Sequence, residues 1–235
     1  MFELIIKCNN FLKDCEVPYA FCGGWALELF MNKSIRPHSD VDIIVFSEDS
    51  RAIVEFMINK GWNIYEHKFD WSDNKKANSF LRLINADDDS LASIFGVWAI
   101  KPGSSLVNVK PRPDSNNIFD YEIMHHEQLE LDFLEIVFCK RKDGFYIYDK
   151  TNDIKRELGK TILRNDSIPY LAPEIILFFI SDPAYQKSDY HREKNQSDYM
   201  HVAPLLPKDN KDWLINALSI MYPEGNSRLE ELKKL

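Results

Sequence analysis

No apolar run in this sequence reaches the roughly 18 residues that a membrane-spanning helix needs. The longest, Phe133 to Phe138 and Glu174 to Ile180, have the length of core elements. The opening segment MFELIIKCNN lacks a basic lead and a long apolar stretch, so it does not read as a signal peptide, and a cytoplasmic location is expected. A basic excess is missing as well. The 29 Lys and Arg residues stand against 37 Asp and Glu, and the net charge of −8 argues against a sequence-independent grip on nucleic acid. Cys8, Cys15, Cys22 and Cys139 have no C-x-x-C spacing and read as buried thiols rather than as a zinc site or disulfide set. Internal repeats and low-complexity tracts are absent too. What remains has the balance of an ordinary globular protein, with 45% hydrophobic and 28% charged residues, so large disordered stretches are not expected. A length of 235 residues suits one substantial domain, or one domain with a smaller companion.

Along the chain, Leu4, Ile5, Cys8, Phe11, Leu12 and Cys15 recur at helical spacing, and Pro18 ends that helix. A short strand through Tyr19 to Cys22 runs into Gly23-Gly24, and a helix follows through Trp25 to Met31. Val41 to Phe46 is a β-rich core strand, and a helix over Arg51 to Asn59 is stopped by Gly61. Ser79 to Ala86 and Leu91 to Ile100 read as strands around the acidic turn Asp87-Asp88-Asp89, and Pro102 to Asn117 reads as a loop. Leu129 to Cys139 is the next strand, with Phe145 to Tyr148 as its hairpin partner. After Pro169 the pattern turns helical, over Ala172 to Ser181, Asp189 to His201, Lys208 to Met221 and Ser227 to Lys234. The expected architecture is therefore α/β (α+β), with a mixed-sheet domain over residues 1–160 and a helical domain over residues 161–235.

Chemistry concentrates in Gly23-Gly24-Trp25 and, one helix later, Arg36-Pro37-His38-Ser39-Asp40-Val41-Asp42. Residues two apart on a strand share a face, roughly 7 Å apart, so Asp40 and Asp42 can converge on a hard cation just off the strand. Mg²⁺ takes one or two carboxylates, with waters and substrate phosphates completing its shell. A strand, a Gly pair and a helix start offer backbone N–H groups that can approach phosphates with no Cβ in the way. Alone, a D-x-D pair is usually solvated and a Gly pair usually turns the chain; together they suggest a metal–nucleotide site.

Gly23-Gly24-Trp25, with Arg36, His38, Asp40 and Asp42 at this spacing, resembles the nucleotidyltransferase superfamily that includes polymerase beta. Within it, the chain is similar to the branch of lincosamide and aminoglycoside nucleotidyltransferases. A Ser commonly follows the second glycine in the superfamily; this chain has Trp25, as the antibiotic-modifying branch does. The resemblance implies the nucleotidyltransferase fold with a mixed sheet and flanking helices, followed by a smaller helical domain. It implies Mg²⁺-dependent transfer of a nucleoside monophosphate, AMP by expectation, from an NTP to a hydroxyl of a small molecule. The expected acceptor is similar to an aminoglycoside or lincosamide, with neither nucleic acid nor membrane as partner.

The family also needs a third carboxylate on a neighbouring strand. Leu131-Asp132-Phe133-Leu134-Glu135-Ile136 is the natural place, with Asp132 the choice and Glu130 the runner-up on the same face. Glu135 points the other way on a regular strand. The resemblance gives Asp40, Asp42 and Asp132 as catalytic and metal-holding residues, with Asp132 either completing a second metal position or taking the acceptor's proton. It gives Gly23, Gly24, Arg36, His38 and Lys194 as nucleotide-binding residues, with Arg36 and His38 shaping either the strand entrance or the phosphate end and Lys194 contacting triphosphate or acceptor. Lys194 and Asp198 lie four apart on a helix, where a plain ion pair is an equal reading. Relatives often carry a Lys just after the apolar helix that here reads Phe179-Ile180-Ser181, a departure from the substrate-contact pattern.

Other candidates carry less. His125-His126-Glu127 are neighbours on a turn, which rarely converge on a metal, and Asp87-Asp88-Asp89 suits a solvated turn. Trp62, Trp71, Trp98 and Trp213 suit core or pocket wall. The competing function is a non-catalytic nucleotide-binding or regulatory module of the same fold. A macromolecular acceptor is a third possibility, and the acidic balance disfavours RNA.

Overall fold

The structure, a computed structural model, describes residues 2–70, 78–113, 115–124, 126–183 and 189–234. In chain order the first elements are α1 (Glu3–Leu12), β1 (Tyr19–Phe21), α2 (Gly23–Met31), β2 (Asp42–Phe46) and α3 (Ser50–Asn59). Then come β3 (Asn63–Asp70), β4 (Asn78–Ile84), β5 (Gly96–Ile100), β6 (Val107–Pro111), β7 (Ile118–Ile123) and β8 (Phe133–Lys142). The remainder comprises β9 (Phe145–Ile147), β10 (Lys155–Glu157), α4 (Leu158–Thr161), β11 (Ile162–Asn165), β12 (Ile168–Leu171), α5 (Pro173–Ile180), α6 (Asp189–Val202), α7 (Lys208–Met221) and α8 (Ser227–Leu232). No helix among the described residues is long and apolar enough to cross a membrane.

By packing, the chain forms two compact units, Met1–Phe21 with Ile35–Lys140, and Cys22–Ser34 with Arg141–Leu235. The change to helical character after residue 160 lies inside the second unit, which also takes α2 from early in the sequence.

In the first unit the strands run in the order β1-β2-β8-β5-β3-β4-β7-β6. Only β2 and β8 pair in parallel among these. One face is apolar from β2 through β3, with Ile43, Val45, Ile136, Phe138, Val97, Ala99 and Ile64 all buried. Helix α3 packs against β2 and β3, and α1 joins it through Phe11, whose ring lies 5.5 Å from Phe56 and 5.7 Å from Trp62. Buried Leu4, Ile5, Cys8 and Leu12 form the apolar stripe that the sequence spacing of α1 predicts. On the opposite face the outer strands curl. Leu106 and Val107 come together with Tyr65, Leu81, Trp98, Ile100 and Phe133 in one cluster.

The segment expected to be a loop, Pro102 to Asn117, contains β6. This strand ends the sheet, where Pro111 removes no needed ladder donor, and its Val-Asn-Val-Lys-Pro sequence masks the β pattern. Strands β3 and β7 were likewise hidden, because Asn63–Asp70 and Ile118–Ile123 mix charged and aromatic residues on alternate faces.

The second unit holds two antiparallel hairpins, β9–β10 and β11–β12, and the helices. Helix α2 packs against α5, α6 and β12, and its last turn is held where Asn165 Nδ2 donates to Leu29 O at 2.7 Å. Its interior contains an ion pair between Arg156 and Glu174, with side chains 6% and 0% exposed. Asn210 Nδ2 donates to the same carboxylate at 2.6 Å, and burial raises the Glu174 pKa against the opposing pull of Arg156.

Gly96 lies against β8 with no room for a side chain: an added Cβ would come 2.5 Å from Ile136 O. Gly96→Ala is therefore expected to push β5 off β8 and to destabilise the protein by about 1–3 kcal/mol, as overpacking does. Urea unfolding measures this, and an unchanged midpoint would contradict the packing described.

Candidate functional site

The site begins where the chain enters β2. Val41 is fully buried and Ile43 to Phe46 continue the core, while Asp40 and Asp42 on either side of Val41 are half-buried. The two carboxylates thus flank a core residue, as alternation requires. Ahead of them, an Arg36 guanidinium nitrogen donates to Pro37 O at 3.2 Å and meets His38 Nδ1 at 3.1 Å. Guanidinium can only donate, so Nδ1 accepts and the ring proton sits on Nε2. His38 is 2% exposed, and its carbonyl accepts from Gln128 N at 2.8 Å. Gln128 Nε2 in turn donates to Phe133 O at 2.8 Å. This chain of bonds ties the approach to β2 to the approach to β8. Arg36 and His38 accordingly sit at the strand entrance, bonded to each other.

Strand β8 lies beside β2. Glu135 N donates to Val41 O at 2.9 Å, and the register sets Glu135 level with Asp42. Side chains at paired positions share a sheet face, and adjacent strands lie about 4.8 Å apart, so these two acids are neighbours. The same row continues to Trp98 of β5 and Tyr65 of β3.

Asp132 does not project from this strand beside the pair, contrary to the expectation. Pairing begins at Phe133, one residue later, because Asp132 N bonds back to Glu130 O at 3.0 Å and the chain turns there. The Asp132 carboxylate instead accepts from Ser105 N at 2.8 Å and from Ser105 Oγ at 3.0 Å, pinning the turn that precedes β6. Its other oxygen, Oδ1, is buried without a hydrogen-bond partner. Glu130 is at the surface, 3.6 Å from Lys7 Nζ. Among the described residues, no group of three or more His, Cys, Asp or Glu side chains is gathered closely enough to hold a metal ion. The half-buried pair Asp40 and Asp42 still fits Mg²⁺, which accepts one or two protein carboxylates when substrate phosphates supply the rest.

In the second unit, Gly23 opens α2 with φ +62°, a conformation that favours glycine, and Cys22 offers no side-chain cap to the first turn. Gly24 and Trp25 are buried behind it. Lys194 is half-buried on α6, which packs against α2, and Asp198 one turn later is buried. Where relatives often place a Lys after α5, Ser181 Oγ donates back to Leu177 O at 2.6 Å.

The remaining sequence candidates have structural roles. Asp88 accepts from Ser90 and pairs with Arg82 at 2.6 Å, contacts that hold its carboxyl at about 2. His126 Nδ1 meets Glu127 O at 2.9 Å, and His125 and Trp71 lie outside the described residues. Trp213 donates to Lys155 O, and Trp62 is buried.

A family model described as aminoglycoside-2''-adenylyltransferase matches residues 4–130. That span includes Gly23, Gly24, Arg36, His38, Asp40 and Asp42 and stops before Asp132 and Glu135. No curated protein matches. Among solved structures, a lincomycin-bound lincosamide antibiotic adenylyltransferase, LnuA, is 15% identical, over 83% of this chain and 95% of that one, with a TM-score of 0.43. ANT(2'')-Ia in complex with adenylyl-2''-tobramycin is 13% identical over 93% of this chain and 97% of that one, with a TM-score of 0.46. An antigenic nucleotidyltransferase-like protein from Paracoccidioides brasiliensis is 15% identical over 98% and 90%, with a TM-score of 0.43.

The placement of Asp132 predicts a stability effect. Asp132→Ala leaves two Ser105 donors without their acceptor and should cost about 1–2 kcal/mol, whereas half-buried Asp42 replaced by Asn should change stability by under about 0.5 kcal/mol. Equal losses in urea unfolding would contradict the loop-anchor role.

Proposed function

We propose that this chain, which belongs to the aminoglycoside-2''-adenylyltransferase family and is a nucleotidyltransferase, transfers AMP from ATP to a hydroxyl of a small-molecule acceptor. The acceptor class is an aminoglycoside or lincosamide. The observation that supports a working catalytic centre is the register that sets Glu135 level with Asp42 on the adjacent parallel strand.

In this reading Asp40 and Asp42 hold Mg²⁺, with Glu135 beside them. When bound, the ion neutralises charge on the triphosphate and on the departing pyrophosphate. Glu135, rather than Asp132, is the third carboxylate and takes the proton from the acceptor hydroxyl. The resulting oxygen attacks the α-phosphorus in line, a new O–P bond forms, and the bond to the bridging oxygen of pyrophosphate breaks. Such transfers rest on positioning and electrostatics more than on covalent chemistry by the protein. The nucleotide contacts expected of Gly23, Gly24, Arg36, His38 and Lys194 are part of the same proposal. The first four lie within the family match. The buried, hydrogen-bonded position of His38 favours a role in setting the entrance to β2 rather than direct contact.

The test is transfer of label from α-labelled ATP with Mg²⁺ to a panel of aminoglycosides and lincosamides. Glu135→Gln is expected to lower transfer by about 10²–10⁴-fold, the usual range for losing an acid–base group, and Asp42→Asn to lower it strongly by weakening the Mg²⁺ site, with Asp132→Asn within about tenfold of the wild type. Strong loss in Asp132→Asn alongside normal Glu135→Gln would return the role to Asp132. Mg²⁺–ATP raising the melting temperature without any label transfer would instead fit a non-catalytic nucleotide-binding module.

A further inference from the structure

The sheet face that bears Asp42 and Glu135 continues as a partly exposed strip within the first unit. Two residues along β8 from Glu135 stands Val137, level with Gly96 on β5. Both are half-buried, whereas Trp98 beside Glu135 is buried. Gly96 has no side chain, so the floor is low there. The β3–β5 register pairs Tyr65 with Trp98, and carried two residues further it brings His67 beside Gly96. From Glu135 to His67 the sheet is crossed by two interstrand steps and followed for two residues, roughly 12 Å. A ligand lying over Val137 and Gly96 covers that distance without displacing Trp98.

At the far end of the strip the His67 ring is fixed by its neighbours. It stacks on Trp98 with centroids 4.6 Å apart and planes at 23°, lies 4.6 Å from the Phe69 ring, and meets Tyr121 edge-on at 5.3 Å. Its Nε2 is 2.7 Å from Tyr121 Oη, which is 2.7 Å from Ser79 Oγ. A tyrosine hydroxyl has one proton; when Tyr121 gives it to Ser79 Oγ, it accepts from Nε2–H, and Nδ1 becomes an acceptor. Nδ1 bonds to none of the described residues and is not among their buried atoms that lack a partner. Burial lowers the His67 pKa below its ordinary value, which keeps the ring neutral at pH 7. Phe69 beside it is 53% exposed. A ring face attracts a cation through its quadrupole, and a neutral nitrogen accepts a charge-assisted hydrogen bond. Together they suit an ammonium group, while the C–H side of a sugar ring packs on the aromatic surface.

We infer that His67 and Phe69 form a distal acceptor subsite that takes an ammonium-bearing ring of an aminosugar. His67 Nδ1 accepts from the ammonium, the Phe69 ring lies against it, and a hydroxyl of another ring of the same compound reaches Glu135. The role of Glu135 in this assignment rests on the transfer reading above; the subsite itself is measured by binding.

Tobramycin is the probe, titrated calorimetrically into the full chain and into two variants. His67→Phe keeps an aromatic ring against Trp98 and removes the acceptor nitrogen, and Phe69→Ala trims an exposed ring. Each is expected to weaken tobramycin by about tenfold and to raise its KM by the same factor, with kcat within about twofold, as loss of uniform binding requires. The melting-temperature shift given by Mg²⁺ and a non-hydrolysable ATP analogue is expected to be unchanged. In ¹⁵N NMR of the unmodified protein, His67 is expected to carry its proton on Nε2, and its Nδ1 signal to move when tobramycin is added. Unchanged tobramycin affinity in either variant, a proton on Nδ1, or an Nδ1 signal that tobramycin does not move overturns the subsite. Absence of tobramycin binding overturns it as well. Binding weakened in both variants, but with no label transfer to any acceptor, would instead remove the enzymatic reading and leave the subsite standing.

Discussion

Parallel strands cannot be joined by a tight turn, so pairing β2 with β8 obliges the chain to place residues 47–132 between them. Most of the first unit is that connection. Helix α3 covers one face of the sheet, and β3 to β7 extend the same sheet outward and curl over the other. The pairing also decides which acid neighbours which. Glu135 N bonds to Val41 O, and this single contact puts Glu135 level with Asp42 while leaving Asp132 to the preceding turn.

Around β2 and β8 the two faces of this sheet differ, one filled by core side chains and the other bearing Asp42 and Glu135. Ile43, Val45, Leu134, Ile136 and Phe138 are buried and fix the strands in place. With that face saturated by apolar side chains, Asp42 and Glu135 fall on the other face by alternation alone. The rigid support matters because in-line transfer depends on position to within a fraction of an ångström. His38, Gln128 and the Phe133 carbonyl add a second tie between the approaches to β2 and β8, so the acids are set from both ends.

Much of this was legible in the sequence. The helices α1, α3, α5 and α7, strand β2 and the Gly23–Gly24 turn follow from periodicity and breakers, because each is specified by local residues. The neighbour of Asp42 on β8, proposed above as the third carboxylate, was harder to read, although a signal was present. Leu134, Ile136 and Phe138 form the large apolar set of β8, and Asp132 shares their parity; on a regular strand it would point into the core. Glu135 shares parity with Phe133, Val137 and Cys139. What the sequence does not contain is the register of β8 against β2, a contact between residues more than ninety positions apart. Strands β3, β6 and β7 were hidden for a related reason. The polar residues of β6 and β7 are tolerated because these two strands end the sheet, whereas β3 is held inside it by pairing with both β5 and β4, and position in the sheet is a property of topology rather than of local sequence.

The central claim is that Asp42 and Glu135 together define the reacting centre. The most direct measurement is anomalous scattering from Mn²⁺ in crystals grown with a non-hydrolysable ATP analogue. The account predicts the ion on the Asp40–Asp42 carboxylates, with protein oxygens near ~2.1–2.2 Å, the Glu135 carboxylate facing it, and Asp132 still bonded to Ser105. An ion contacting Asp132, with Glu135 turned away, would contradict it.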